Sequence, residues 1–523
     1  MSLECGLATL GRMGPIEVTE RPSTTKIPRH SRVGIPFLAV TLGALATAIS
    51  ALGSWIPSLW GDEVTSVLSA ERSLPSLFRM LGNIDAVHGT YYLFLHFWVG
   101  AFGASPFSVR FPSAIAVGIV VAGVVVLADR LADRRTAVIA GIIAVLLPRV
   151  TYMGEEARGY AMSAACAVWV TILLLHLIRS ERVRRRLWVL YAVGIALGAY
   201  IFLFSTLIVV THLVMVLLVR RPGLLKRWIL AVAGGVALAL PVIVYGIAER
   251  GQIAFLADRN STDFRTLAVT QWFGNDAAAI VAWSLIAAAV VVAVVRFVRA
   301  RSAGTPGASP DPATRPHLVP VAFVWLVGSA GILLVANAIH PVYSSRYLSF
   351  AIPAAALLIG WLIARIESKW IAAALTVVVL ATSSISYFSE RTPYAKNGSD
   401  WAQVADVIQH NARPGDGILF DEGSRPSQRL RLALRGYPQS FVGLKDIALR
   451  SYWWQTLNWR DSTYPLSEVT GRLDGVTTVW MLEYRSPGGS AHTYNLSTLA
   501  SLGYTVSQTF SEHSSVILKF TKN

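Results

Sequence analysis

Residues 88–103 read His-Gly-Thr-Tyr-Tyr-Leu-Phe-Leu-His-Phe-Trp-Val-Gly-Ala-Phe-Gly, and whether this stretch crosses a bilayer decides the architecture of the whole chain. It falls short of the roughly 20 apolar residues that a spanning helix needs, and His96 sits in its middle. Longer apolar runs surround it, at 33–56 and then at about 110–128, 136–148, 160–178, 187–219, 228–248, 277–298, 318–339, 347–364 and 370–388. The run 187–219 is too long for one helix and splits near Phe204-Ser205. Basic residues gather in five connectors: Arg130/Arg134/Arg135, Arg179 with Arg182 to Arg186, Arg220/Arg221/Lys226/Arg227, Arg296/Arg299/Arg301/Arg315, and Arg365/Lys369. If 88–103 does not cross, all five fall on the cytoplasmic side, where positive charge is retained. If it crosses, all five land outside. The segment therefore reads as an amphipathic helix in the outer interface, with Tyr91, Tyr92 and Trp98 at headgroup level. About eleven spans result, with the N-terminus inside and the C-terminus outside.

Composition supports this and excludes other classes. Hydrophobic residues make up 54% of the chain, charged residues 15%, and mean hydropathy is +0.52, values foreign to soluble domains. The net charge of +16 sits in the connectors and forms no single stripe, so no nucleic-acid partner is expected. The two cysteines, Cys5 and Cys166, give neither a disulfide framework nor a metal site. Residues 1–32 read as a disordered cytoplasmic tail, 33–56 as a retained signal anchor, and Ser302–Pro316 as a flexible cytoplasmic linker. A membrane domain would then run over 33–389, and a small extracytoplasmic α/β domain over 390–523. In that domain a helix is expected at Asp400–Asn411, strands at Ile418–Phe420 and Val476–Tyr484, and a hairpin of Tyr504–Phe510 with Val516–Phe520.

The topology puts several polar clusters on one face. Leu59-Trp60-Gly61-Asp62-Glu63-Val64-Thr65-Ser66 follows the first span, within the first outer loop 57–108. Its carboxylates, flanked by apolar residues, are expected to have raised proton affinity, suited to taking a proton from a hydroxyl. Asp85, His88 and Tyr91 precede or open the interfacial helix, where the His could bind phosphate or orient an acceptor. Glu155-Glu156-Ala157-Arg158-Gly159-Tyr160 offers a second carboxylate and a cation for phosphate. His340, Tyr343 and Arg346 lie on a short outer loop, and Arg259 and Arg265 on another. Outward arginines run against the positive-inside trend, and an anionic lipid phosphate would account for them. Each cluster also has a plain structural reading as a helix end, an internal ion pair or an interfacial anchor. Walker A, Rossmann, HExxH and GxSxG patterns are absent.

These residues resemble GT-C-fold glycosyltransferases, in the branch of protein O-mannosyltransferases and lipid A aminoarabinose transferases. The resemblance runs from about residue 34 to 390. It is carried by Asp62-Glu63, by His88 with Tyr91-Tyr92, by Arg110-Phe111-Pro112-Ser113-Ala114, by Glu156 to Tyr160, and by Arg346-Tyr347. Gly89-Thr90 stand where the family often has paired prolines, and Glu156 where it often has Asp. The resemblance implies a polytopic α-helical membrane protein that transfers a monosaccharide, mannose favoured, from a polyprenyl-phosphate donor with inversion. The acceptor would be a glycan, lipoglycan or protein outside the plasma (inner) membrane, in cell-wall or glycoprotein synthesis. It implies Asp62 as base or acceptor-orienting carboxylate, Glu63 as its neighbour, Glu156 as the second acidic site, and Arg158 and Arg346 on the donor phosphate. Two acidic sites without His ligands could hold a divalent cation, Mg or Mn, weakly. The competing readings are a flippase for lipid-linked sugars and a non-catalytic scaffold with an outer binding domain.

Overall fold

The structure is a computed structural model and describes residues 34–180, 184–259, 262–302, 316–485 and 495–522. The expected tail 1–32 and most of the linker Ser302–Pro316 lie outside the described residues.

Helix α1 (Gly34–Ala51) leads into three short helices, α2 (Gly61–Ala70), α3 (Leu74–Leu81) and α4 (Gly89–Phe102). After the long α5 (Pro106–Leu131), α6 (Arg134–Leu146) and α7 (Pro148–Gly154) meet at 57°. Pro148 causes that bend: it lacks an N–H for the helix and biases Leu147 to extended backbone, observed at ψ 134. Next come α8 (Tyr160–Arg179), α9 (Arg185–Ile201), α10 (Ile208–Val219), α11 (Leu224–Ala248) and α12 (Asp276–Ser302). A π-turn joins α13 (Leu318–Phe323) to α14 (Ser329–Ile339). A 3-10 turn at Ser345–Ala351 meets α15 (Pro353–Ile363) at 52°, and α16 (Lys369–Ser389) closes the membrane part.

Among the described residues, seven helices are long and apolar enough to cross a membrane, or up to nine if each bent pair counts once. Helices occupy all the expected runs, but α9 and the Leu203–Val219 piece are shorter than a full span, which is why the expected eleven is not reached by length alone. The break between them falls at Phe202, with extended backbone, two residues before the expected split. Helices α5 and α8 are 72% buried and form the centre, whereas α11 and α12, at 22% and 28%, form the outer wall. Close approach of α1 to α5 depends on glycine. A Cβ on Gly43 would stand 2.8 Å from the Gly118 carbonyl oxygen, and one on Gly118 would stand 2.1 Å from Thr47 Oγ1.

Helix α4 rises about 21 Å over its length, too little for a hydrocarbon core of roughly 30 Å. It is not among the described helices long and apolar enough to cross a membrane. The expected orientation is corrected, however: Tyr91 and Tyr92 are buried, while Phe94, Phe97 and Phe102 are exposed. Tyr92 turns inward because Asp85 and Arg158 give its hydroxyl partners there, and Tyr91 because its ring packs into the core shared with the C-terminal unit.

Beyond α16 the chain forms α17 (Trp401–Asn411) and a sheet of β1 (Gly417–Phe420), β2 (Lys445–Asp446), β5 (Thr478–Tyr484), β6 (Tyr504–Ser511) and β7 (Ser515–Lys522), with β3 (Leu449–Ser451) and β4 (Ser462–Thr463) paired separately. The order is β2-β1-β5-β7-β6. Strand β1 runs parallel to β2 and β5, and β5/β7 and β7/β6 are antiparallel. Both faces of β1 and β5 are covered, which explains their unbroken apolar runs. One face joins a core with the outer helices, in which Leu59, Val64, Val67, Leu77 and Tyr91 pack with Trp401, Ile408, Ile418 and Trp480. Hydrogen bonds reinforce that contact. Trp453 Nε1 donates to the Leu68 carbonyl at 2.9 Å, and the buried Arg72 guanidinium donates to the carbonyls of Trp453, Thr456 and Asn458. The C-terminal unit is thus built onto the loop that carries Asp62.

Candidate active site

Helix α2 starts where the C-terminal unit presses on it. A Cβ on Gly61 would lie 2.4 Å from the Ser427 carbonyl oxygen, so only glycine allows this approach. Asp62 and Glu63 occupy the first turn, where the helix dipole favours negative charge. Successive helical residues diverge by about 100°, so the two carboxylates serve different surroundings.

Glu63 turns inward. Arg110 Nε and Nη2 donate to its two oxygens at 2.8 and 2.6 Å, the Ala157 N–H adds a third bond at 3.0 Å, and both side chains are fully buried. The rest of the Arg110 guanidinium donates to the carbonyls of Ser54, Pro57 and Ser58. This closed arrangement pins α2 to α5 and to the turn after α1. It encloses Glu63 completely, with Arg110 on both of its oxygens.

Asp62 turns the other way and stays 25% exposed. Its Oδ2 lies 3.0 Å from Arg346 Nη1 and 3.5 Å from Arg158 Nη2. Burial pushes its proton affinity up, but Arg158 and Arg346 together outweigh burial and hold the carboxyl below its ordinary value. This corrects the expected raised affinity: Asp62 is a firmly ionised hydrogen-bond acceptor. Arg346 also stands 3.6 Å from Oε1 of the fully buried Glu156, and its guanidinium covers the Trp60 ring at 4.9 Å. A guanidinium thus occupies the space between the two acidic sites. Among the described residues no group of three or more His, Cys, Asp or Glu side chains is assembled as metal ligands. The Asp62/Glu156 pair, already bridged by Arg346, does not fit a divalent cation.

A second branch runs from Arg158. Its Nη1 donates to Tyr92 Oη at 3.1 Å, and Tyr92 Oη donates to Asp85 Oδ2 at 3.1 Å. Asp85 adopts a left-handed backbone at φ 61, and burial raises its carboxyl against the opposing pull of Arg158. His88 packs 6.0 Å from the Tyr92 ring. Burial first and Arg158 second push its pKa down to about 3. Tyr91 lies in the core shared with the C-terminal unit.

Three expected residues are elsewhere. Arg265 is exposed and paired with Asp276 at 3.1 Å. His340 is exposed at the end of α14. Tyr343 is buried and donates its hydroxyl to Gln271 Oε1, which fastens two outer connectors together.

Beside the Asp62 cluster lies a cavity of about 340 Å³. Arg149 and Tyr152 of α7 form one wall, Ser344, Ser345 and Arg346 another, and Thr270, Glu390 and Asn397 complete it. Asp62 is not itself in the wall; Arg346 joins the two. Arg149, Glu390 and Asn397 were not picked out from sequence. For Arg149 a signal existed, since it follows an apolar run on the face that normally lacks cations. Its Nε donates to the Gln271 carbonyl at 2.7 Å, which ties α7 to the 249–276 connector.

Comparisons with known proteins agree with this architecture. Residues 90–245 match the family described as dolichyl-phosphate-mannose-protein mannosyltransferase. The fold is similar to that of ArnT from Cupriavidus metallidurans, with a TM-score of 0.56, 13% identity, and coverage of 92% of this chain and 97% of that one. That protein has also been solved bound to undecaprenyl phosphate, with the same degree of similarity. The arabinofuranosyltransferase AftD from Mycobacteria aligns with a TM-score of 0.51 and 15% identity over 94% of this chain, which spans 40% of that larger one. No curated protein matches the sequence. The chain is a multi-pass membrane protein with the GT-C fold, as its resemblance implied.

Proposed function

We propose that this protein transfers a single sugar from a polyprenyl-phosphate donor to a hydroxyl acceptor at the outer face of the plasma membrane. One observation carries the reading: Arg346 lines a polar cavity and at the same time holds the ionised Asp62 carboxylate. A donor phosphate bound by Arg346 and Arg149 would place its anomeric carbon within the cavity. The volume is at the low end for small-ligand sites, suited to one sugar and its phosphate.

In the proposed step the acceptor oxygen attacks the anomeric carbon from the side opposite the phosphate, inverting the configuration. The bond from that carbon to the phosphate oxygen breaks, and the electron pair leaves on the polyprenyl phosphate. The acceptor proton passes to Asp62. Because Arg158 and Arg346 lower its basicity, Asp62 takes the proton late, once bond formation has made the hydroxyl acidic. Arg346 and Arg149 stabilise the charge that grows on the phosphate. Glu156, buried behind Arg346, steadies the guanidinium.

A lipid-phosphate donor is supported by the ArnT structure with undecaprenyl phosphate, and mannose by the matched family, with arabinose next from the likeness to AftD. The connector charges support an N-terminus inside and a C-terminal domain outside. A flippase would have broken helices, and two bends are present. The bend at Pro148 adjoins the cavity, and the second, between Ala351 and Pro353, follows Ser344, Ser345 and Arg346, which form one of its walls. Membranes containing the wild type should move label from radiolabelled polyprenyl-phosphate mannose to an acceptor, and Asp62→Ala membranes should not. Equal transfer by both would refute the assignment, and movement of intact donor across the bilayer without transfer would favour the flippase.

A further inference from the structure

The cavity has one acidic residue in its wall, and the chemistry described so far does not use it. Glu390 caps the C-terminal end of α16, where the chain leaves the membrane part for the C-terminal unit. Its side chain is 17% exposed and lines the cavity together with Asn397, Arg149 and Arg346. The cations near Glu390 are mostly engaged elsewhere. Arg391 Nη1 is 4.0 Å from Glu390 Oε2 but only 3.1 Å from Glu155 Oε2, and Lys396 Nζ is 3.1 Å from Glu155 Oε1. Arg149 donates to backbone carbonyls. The polar partner that Glu390 does hold is neutral: its Oε2 lies 3.2 Å from Thr151 Oγ1, whose one hydroxyl hydrogen is shared with the Pro148 carbonyl at 2.9 Å. A carboxyl set so close to two guanidiniums, yet bonded to a hydroxyl instead, is placed to meet a ligand.

Three charged groups decide what that ligand is. Glu155 stands behind Glu390 and, after burial itself, is the main influence that raises its proton affinity. The carboxyl therefore favours its neutral form, which both donates and accepts a hydrogen bond. Arg149 and Arg346 give the cavity a positive balance that attracts phosphate and repels an ammonium group. We propose that Glu390 hydrogen-bonds a hydroxyl of the donor sugar and selects a neutral monosaccharide over an amino sugar. This rests on the transfer reading above and deepens it. Residues of the membrane part hold the donor phosphate, while the segment 390–397 leading to the C-terminal unit reads the sugar.

The test uses the full-length protein in lipid nanodiscs, with polyprenyl-phosphate mannose, polyprenyl-phosphate 4-amino-4-deoxyarabinose and polyprenyl monophosphate as probes. Wild type should transfer mannose with kcat/KM at least tenfold above that for the amino sugar. Glu390→Ala should raise KM for the mannose donor about tenfold with a smaller change in kcat, and should leave the affinity for polyprenyl monophosphate unchanged. Glu390→Gln keeps a donor and an acceptor in place and should recover most of that loss. An unchanged KM in Glu390→Ala overturns the proposal while leaving the transfer reading intact. A parallel loss of monophosphate affinity, or preference for the amino sugar, overturns it as well. If the wild type transfers neither sugar, the transfer reading fails first and takes this inference with it.

Discussion

Arg346 Nη1 lies 3.0 Å from Asp62 Oδ2 across 284 residues of sequence, joining the loop before α15 to the first turn of α2. The same guanidinium reaches Glu156 and lines the cavity, so the two acidic sites and the cavity meet in one side chain.

Arg346→Ala should therefore affect both the donor and Asp62. Charge-assisted hydrogen bonds contribute about 1.5–3 kcal/mol, so kcat/KM should fall on the order of 10- to 100-fold. Arg346→Lys keeps the charge but loses the planar fork, and should lie between the two. Steady-state kinetics, with inhibition by polyprenyl monophosphate as the binding readout, separates the contributions.

Glu63 and Arg110 predict a different phenotype. Removing one member of a buried ion pair strands the other charge, at a cost of about 3–5 kcal/mol. Glu63→Ala and Arg110→Ala should each lower thermal stability in detergent sharply, and the double variant should lose less than the sum. Asp62→Ala, at a partly exposed carboxylate, should remain folded. Thermal unfolding followed by intrinsic tryptophan fluorescence distinguishes them.

Gly61→Ala puts a methyl group into the Ser427 carbonyl and must push α2 away from the C-terminal unit. Transfer activity should drop because Asp62 moves with the helix. Gly100→Ala is the control: a Cβ there meets nothing within 4 Å, and it should leave activity alone while stabilising α4 by roughly 0.5–1 kcal/mol.

In the C-terminal sheet, Glu483 follows Leu482, whose β1 partner is Phe420, and so lies beside Asp421. Burial first and Asp421 second push its pKa up to about 7. The sign follows from linkage: a carboxyl whose folded pKa is raised contributes stability below its unfolded value, near 4.3, and loses it as pH rises toward 7. Thermal stability of the wild type should fall across that window. Glu483→Gln should flatten the dependence and be the more stable protein at pH 8. Melting temperatures from pH 4.5 to 8 measure it.

Much of the fold could be read from sequence because the membrane imposes a one-dimensional rule. Apolar length marked the helices. Strand patterning found β1, β5 and the β6/β7 hairpin within two residues. Side-chain direction was harder. Helix α4 is apolar nearly all round rather than amphipathic as expected, so nothing in its pattern showed that Tyr92 faces Arg158 while Phe97 faces outward. Asp62 and Glu63 are adjacent in sequence, and only Arg110 and Arg346, both distant, assign them opposite roles. Position after a span likewise favoured Arg265 and His340 over Arg149 and Glu390. The bend at Pro148 is what aims Arg149 into the cavity.

The central claim is that Asp62 accepts the proton of the attacking hydroxyl. Single-turnover transfer from radiolabelled polyprenyl-phosphate mannose, comparing wild type with Asp62→Asn, tests it most directly. The account predicts donor binding within a few-fold of wild type and a transfer rate lower by about 10²- to 10⁴-fold. An Asp62→Asn protein that transfers sugar at the wild-type rate would contradict it.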